Sequence, residues 1–198
     1  RSSAASDVYK RQQDSKLFVI SGPSGAGKGT LVTRVRERRS NLGLTVSATT
    51  RAPRKGEVDG VNYFFLTREE FDRRVANGEF VEWAEVHGNC YGTLVSEVTS
   101  KLASGASLIL EIDVQGALQV KERFPEAVLI FIKPPSLEVL RERLVGRGTE
   151  TPETIELRMA NAADELALAD RYDDVVVNDD LDRATDELVR VLDMHERI

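Results

Sequence analysis

The feature that most constrains this chain lies between residues 17 and 35, where an apolar run, Leu17 to Ile20, meets a glycine-rich turn. The turn runs Gly22, Pro23, Ser24, Gly25, Ala26, Gly27, Lys28, and an apolar stripe of Leu31, Val32 and Val35 follows it at helical spacing. G-x-x-x-x-G-K becomes a physical claim only between a strand and a helix, and both are present. The glycines let successive backbone N–H groups point inward, and the helix N-terminus adds partial positive charge. Lys28 reaches the β- and γ-phosphates of a bound nucleotide. A surface lysine after an ordinary glycine turn would lack the flanking strand and helix.

The same alternation returns at Leu108 to Ile112, Val128 to Ile132 and Val175 to Val177, separated by helical stretches such as Val114 to Phe124 and Leu137 to Leu144. Continuous apolar strands suit a parallel sheet buried on both faces. The predicted fold is therefore α/β: a P-loop three-layer core with a parallel central sheet, an inserted mixed α/β subdomain and a helical lid. The core is expected over residues 15–43, 96–146 and 171–198. The insertion, 44–95, has expected strands at Leu44 to Ala48, Val61 to Phe65 and Phe80 to Val86. Thr67 and Glu70 form a capping box for a helix that places Phe71 and Val75 on one face. The lid, 147–170, is rich in Glu and Ala. Leu181 to Ile198 closes the chain as an amphipathic helix, and residues 1–14 read as a polar leader outside the fold.

Composition narrows the function by exclusion. The 198 residues, 41% hydrophobic and 30% charged, suit one soluble globular domain. The net charge of −6 disfavours a general nucleic-acid binder. A single cysteine, Cys90, rules out an intrachain disulfide and fits a reducing, cytoplasmic setting. His87 and His195 lack the company of a zinc site, and no apolar run is long enough to cross a bilayer. The sequence does not set the oligomeric state.

Six blocks in order, GPSGAGKGT (22–30), SATTRAPRKGEVDGVNYFF (47–65), GEFVEWAEVHGNCYGT (78–93), LEIDVQGA (110–117), RGTETPE (147–153) and VVVNDDL (175–181), resemble the guanylate kinases over nearly the whole chain from Ser15 onward. The resemblance implies ATP as phosphoryl donor, Mg²⁺ arriving with it, and GMP as acceptor. The position after Lys28, commonly a Ser or Thr whose hydroxyl binds Mg²⁺, is Gly29, with Thr30 following. Gly-Lys-Gly-Thr also occurs among nucleoside monophosphate kinases.

The chemistry agrees with the resemblance. GMP needs a phosphate clamp at one end and a base-reading group at the other. Arg51 and Arg54 offer planar cations for the phosphate, with Ser47, Tyr63 and Tyr91 hydroxyls beside them. Guanine presents N1–H and its N2 amine as adjacent donors that one carboxylate accepts, whereas adenine presents an acceptor at N1. The resemblance gives that role to Glu82, with the Thr93 hydroxyl beside it. Strand parity places Glu82 on the face of Phe80, Ala84 and Val86, an awkward place for an unpartnered charge. Glu111 and Asp113 stand where open α/β sheets bind ligands, suited to Mg²⁺ or substrate contacts. Family members commonly have two Asp there, so Glu111 is a conservative departure. Thr30 and Asp113 are the candidate metal contacts.

Phosphoryl transfer needs positive charge around the moving group. The resemblance assigns that charge to Lys28 and to Arg143, Arg147 and Arg158 beside or within the lid, and puts Asn178 near the adenine. No covalent intermediate is implied, and GMP is not separated from dGMP. Two rivals stand beside this reading: a related kinase acting on another phosphorylated sugar or nucleotide, against which Glu82, Tyr91 and Thr93 argue, and a catalytically silent scaffold module, against which the complete loop argues.

Overall fold

The computed structural model describes residues 15–86, 88–146, 148 and 150–196. The leader 1–14, His87 and Arg147 lie outside the described residues. The central sheet has strands β1 (Leu17–Ser21), β2 (Gly43–Leu44), β7 (Leu108–Glu111), β8 (Val128–Lys133) and β9 (Asp174–Val177), ordered β2-β7-β1-β8-β9. Every pairing in it is parallel. β1 lies at its centre with all five residues buried, because side chains on both faces meet helices. Phe18 and Ile20 pack with Leu31, Val32 and Val35 of α1 (Lys28–Arg38) and with Ala184, Leu188 and Leu192 of α7 (Leu181–Glu196). Leu17 and Val19 face the other way, into a cluster with Val98 of α3 (Val95–Ala103) and Val114, Ala117 and Val120 of α4 (Val114–Arg123). Alternation along one strand thus produces the two outer layers.

A second sheet, ordered β4-β3-β6-β5, is built from β3 (Ala48–Thr49), β4 (Phe64–Phe65), β5 (Phe80–Val86) and β6 (Asn89–Leu94). Helix α2 (Arg68–Ala76) packs on it through Phe71, whose ring stacks on Phe80 at 4.3 Å, with Cys90 and Leu94 beside them. Thr67 caps α2 as expected, its hydroxyl accepting from Glu70 N at 3.1 Å. The reciprocal half of the box does not form. The Glu70 carboxylate bonds Arg73 and Arg74 instead, and those cations hold it down to about 2.

The expected strand Leu44 to Ala48 is two short strands in different sheets. Leu44 pairs with Ile109 in the central sheet and Ala48 with Gly92 in the second, and Val46 N between them donates to Glu97 Oε1 at 2.9 Å. The expected strand from Val61 shortens to Phe64–Phe65, because Val61 N and Asn62 N close turns on Val58 O.

Helices α5 (Leu137–Gly146) and α6 (Pro152–Leu166) pack against each other through Leu140, Leu144, Met159 and Ala162. Thr151 caps α6 through Thr154 N, and Pro152 opens it where a missing N–H costs nothing.

Candidate active site

At the end of β1 the chain turns through Gly22, Gly25 and Gly27 at φ of 139°, 92° and 89°. A Cβ on Gly22 would fall 2.3 Å from Ile132 O, and one on Gly27 would fall 2.4 Å from Asn178 Nδ2. Conformation and space therefore both demand glycine at these two positions. Lys28 Nζ donates back to Gly22 O at 2.6 Å and Pro23 O at 3.1 Å, which fixes the ammonium over the loop.

Two residues distant in sequence, Asn178 and Arg158, bond this loop, and Arg143 holds the first of them. Asn178, 5% exposed, donates from Nδ2 to Ala26 O at 2.8 Å, and its own carbonyl accepts from Arg143 Nη2 at 2.8 Å. Arg158 of α6 donates to Ser24 Oγ and pairs with Glu150 Oε2 at 2.8 Å. Arg143 and Arg158 are thus brought to the loop from α5 and α6. Asn178 braces the loop from behind. Arg141 pairs with Glu156 across the α5–α6 hairpin, a structural contact.

A cleft of about 380 Å³ opens between α1 and the second sheet, lined among others by Gly29, Ser47, Tyr63, Thr93 and Glu111. Arg51 stands 5.4 Å over the Tyr63 ring, and Tyr63 meets Tyr91 edge-on at 6.2 Å. The Arg51 guanidinium is held in a two-pronged pair by Glu57, with Nη1 to Oε2 at 3.0 Å and Nη2 to Oε1 at 2.9 Å. Glu57 also accepts from Arg54 N at 2.7 Å. These contacts hold the Glu57 carboxyl below its usual range and raise Arg51. Sequence reasoning missed Glu57. Its signal was the turn glycine Gly56 ahead of it, which folds the carboxylate back toward both arginines.

Glu82 is 9% exposed and accepts from Thr93 Oγ1 at 2.8 Å. It shares a face with Ala84 and Val86, but not with Phe80. Phe80 lies opposite Leu94 while Glu82 lies opposite Thr93, so a bulge at Val81 turns Phe80 to the α2 side and Glu82 to the cleft side. Val81 meanwhile joins the central core. Burial pushes the Glu82 carboxyl up, and the Asp113 charge adds to that against the Thr93 bond.

Asp113 caps α4 through Gly116 N at 2.7 Å, and a Cβ on Gly116 would lie within 3.4 Å of both Asp113 Oδ1 and Glu82 Oε2. Glu111 ends β7 beside Ile20. Partial desolvation raises its carboxyl, and the nearby Lys28 charge opposes the shift. Thr30 is exposed on an outer groove of α1, with Arg34, Glu37 and Arg38, which meets the cleft at Gly29 and Thr33. A further carboxylate, Glu165, is half-buried two helical turns beyond Arg158 on α6. Burial raises it, and the charges of Lys28 and Asp113 act on it. The seven-residue spacing from Arg158 was its sequence signal.

A family model described as guanylate kinase matches residues 14–195. The guanylate kinase of Gloeobacter violaceus is 57% identical over 178 residues, covering 90% of this chain and 87% of that protein. That of Halalkalibacterium halodurans is 53% identical over 176 residues, covering 89% and 86%. Among solved structures, guanylate kinase from Anaplasma phagocytophilum superposes with a TM-score of 0.69 at 37% identity, covering 92% of this chain and 86% of that one. Loop, braces and cleft stand within the matched span, and the chain belongs to the guanylate kinase family.

Proposed function

We propose that this chain transfers the γ-phosphoryl group of ATP to GMP, giving ADP and GDP. One observation carries the choice of acceptor: the buried Glu82 is held by the hydroxyl of Thr93, a residue that lines the same cleft as Gly29 and Glu111. A carboxylate there accepts from guanine N1–H and N2 together, while adenine leaves it unmatched. An unmatched buried acceptor costs about 1–3 kcal/mol, tenfold or more in selectivity.

Arg51, Arg54, Ser47, Tyr63 and Tyr91 bind the GMP phosphate, and Glu57 positions the first of them. Gly22, Pro23, Ser24, Gly25, Ala26, Gly27, Gly29 and Thr30 surround the donor phosphates, with Asn178 supporting them from behind. Lys28, Arg143, Arg147 and Arg158 neutralise charge as it redistributes during transfer. An anionic oxygen of GMP's own phosphate group takes the γ-phosphoryl as the bond to the β–γ bridging oxygen breaks and ADP leaves, so no protein nucleophile is needed. Mg²⁺ bound to ATP would supply further neutralisation at the β- and γ-oxygens. Of the two expected cation contacts, Asp113 stands beside the acceptor site, and Thr30 lines the outer groove. No helix among the described residues is long and apolar enough to cross a membrane. A cytoplasmic role in purine nucleotide recycling fits this reading, with dGMP as a second acceptor.

The test is a coupled ADP-release assay with ATP and Mg²⁺, offering GMP, dGMP, AMP, CMP, UMP and sugar phosphates in turn. Turnover confined to the guanine nucleotides is the expected outcome. Equal turnover of AMP, or turnover of a sugar phosphate alone, sinks the assignment of Glu82 as base reader.

A further inference from the structure

Two buried hydroxyls meet beneath the phosphate loop, and the transfer described above uses neither. Ser21 ends β1 and is fully buried; Tyr172, 8% exposed, follows the 3₁₀ turn Ala169–Arg171 that comes after α6. Ser21 alternates with Leu17 and Val19, so it points to the same side of the sheet as they do, into the cluster that contains Tyr172. It lies opposite Phe131, and Tyr172 meets the Phe131 ring edge-on at 5.0 Å. Burial pushes the Tyr172 phenol up, and the Ser21 hydroxyl beside it opposes that shift. Yet among the described residues neither Ser21 Oγ nor Tyr172 Oη closes a hydrogen bond.

Stability alone would not put hydroxyls here. Buried hydroxyls are nearly always bonded, and an unbonded one destabilises the fold. Alanine and phenylalanine would fill the same space without that cost, and a local sacrifice of this kind is typical of positions that serve activity.

What the pair adjoins is the root of the loop. Gly22, the residue after Ser21, accepts Lys28 Nζ on its carbonyl at 2.6 Å, and a Cβ on it would fall 2.3 Å from Ile132 O. The packing leaves no slack there, so a displacement of Ser21 passes to Gly22 O and to the ammonium it holds. Tyr172 is itself fixed. Its N–H closes a turn on Ala169 O at 3.1 Å, and Asp173 after it donates to Leu129 O at 2.9 Å while its carboxylate accepts from Leu129 N at 2.8 Å. The Glu165 and Asp113 charges act on the phenol, and the Lys28 charge acts on Glu165, so hydroxyls, carboxylates and ammonium share one neighbourhood.

We infer that Tyr172 is a positioning residue for phosphoryl transfer: through Ser21, its hydroxyl ties the root of the phosphate loop to the root of the lid hairpin and so sets where Lys28 stands. It acts on Lys28 by way of Ser21 and Gly22, not on substrate. This rests on the kinase reading above.

The test is a double-variant cycle on the full chain, with Tyr172→Phe, Ser21→Ala and both together, read by steady-state kinetics with ATP, Mg²⁺ and GMP and by thermal unfolding. Each single change should lower kcat about 10- to 100-fold, with KM for GMP and for ATP nearly unchanged. The double variant should lose no more than the worse single one, because the hydroxyls act as a unit. Unfolding midpoints should hold or rise, since each change removes a buried hydroxyl that closes no bond. The inference is overturned if Tyr172→Phe keeps its kcat, or if the two losses multiply in the double variant. A lowered midpoint with KM and kcat impaired together overturns it as well, since the hydroxyl would then be a structural bond. If the unaltered chain phosphorylates no GMP, the kinase reading falls and takes the positioning role with it.

Discussion

Glu82 shows what burial does to one carboxylate and to the stability linked to it. Its folded-state titration lies above the ordinary carboxylate value because burial disfavours the charged form. The folded protein therefore binds this proton more tightly than the unfolded chain does. The linked stability is gained as pH falls through the folded value and is absent above it. Glu82→Gln should accordingly stabilise the protein at neutral pH, by a margin that shrinks to nothing as pH approaches the unfolded carboxylate value. Thermal unfolding across pH checks this, and a margin independent of pH would refute it. The same variant should lower kcat/KM for GMP about 10- to 100-fold with ATP affinity intact. The identity of Glu82 as a buried carboxylate was legible from alternation, but the route to it was not. Parity grouped it with Phe80, and the bulge at Val81 separates the two. A bulge is set by the partner strand, which lies outside the window that periodicity examines. Glu57 and Glu165 escaped for a related reason: each is one charge among many in sequence, with only a turn glycine or a helical spacing to mark it, and the arginine or lysine that acts on it is brought near by folding.

At the scale of elements, the strands buried on both faces were legible because apolar content alone signals them. β6 was not expected. Its Asn89, Gly92 and Thr93 break the apolar pattern, yet a Cβ on Gly92 would strike Glu82 O at 2.8 Å, so the glycine is what lets β5 and β6 approach. Helix α3 was likewise unexpected, and the short pieces β2 and β3 were merged, since two residues carry no period. The second sheet depends on a small apolar cluster around Phe71, fully buried against Phe80. Phe71→Ala should cost about 3–5 kcal/mol, a large share of a typical domain's stability. The loss should concentrate in the sheet that carries Glu82 and Thr93. Hydrogen exchange should quicken at β5 and β6 before β1 and β8, and KM for GMP should rise more than KM for ATP. Uniform loss of protection would show that the two sheets unfold as one unit.

Over the whole molecule, the nucleotide loop near the start of the described chain is completed by residues near its end. Ala26 is braced by Asn178, 152 positions later, and α1 is covered by α7. A protein is made from its N-terminus, at about 5–20 residues per second. The loop's residues thus leave the ribosome many seconds before the amide that holds them. Through that interval the growing chain carries the phosphate-binding sequence without its brace, and α1 without the helix that covers its apolar face. Chains arrested short of Asn178 should retain no ATP analogue, and chains extended past α7 by a ribosome-tunnel's length of linker should bind it fully. Nucleotide capture is in this sense a signal that α7 has been made, and ATP would stabilise only molecules in which Asn178 and α7 are in place.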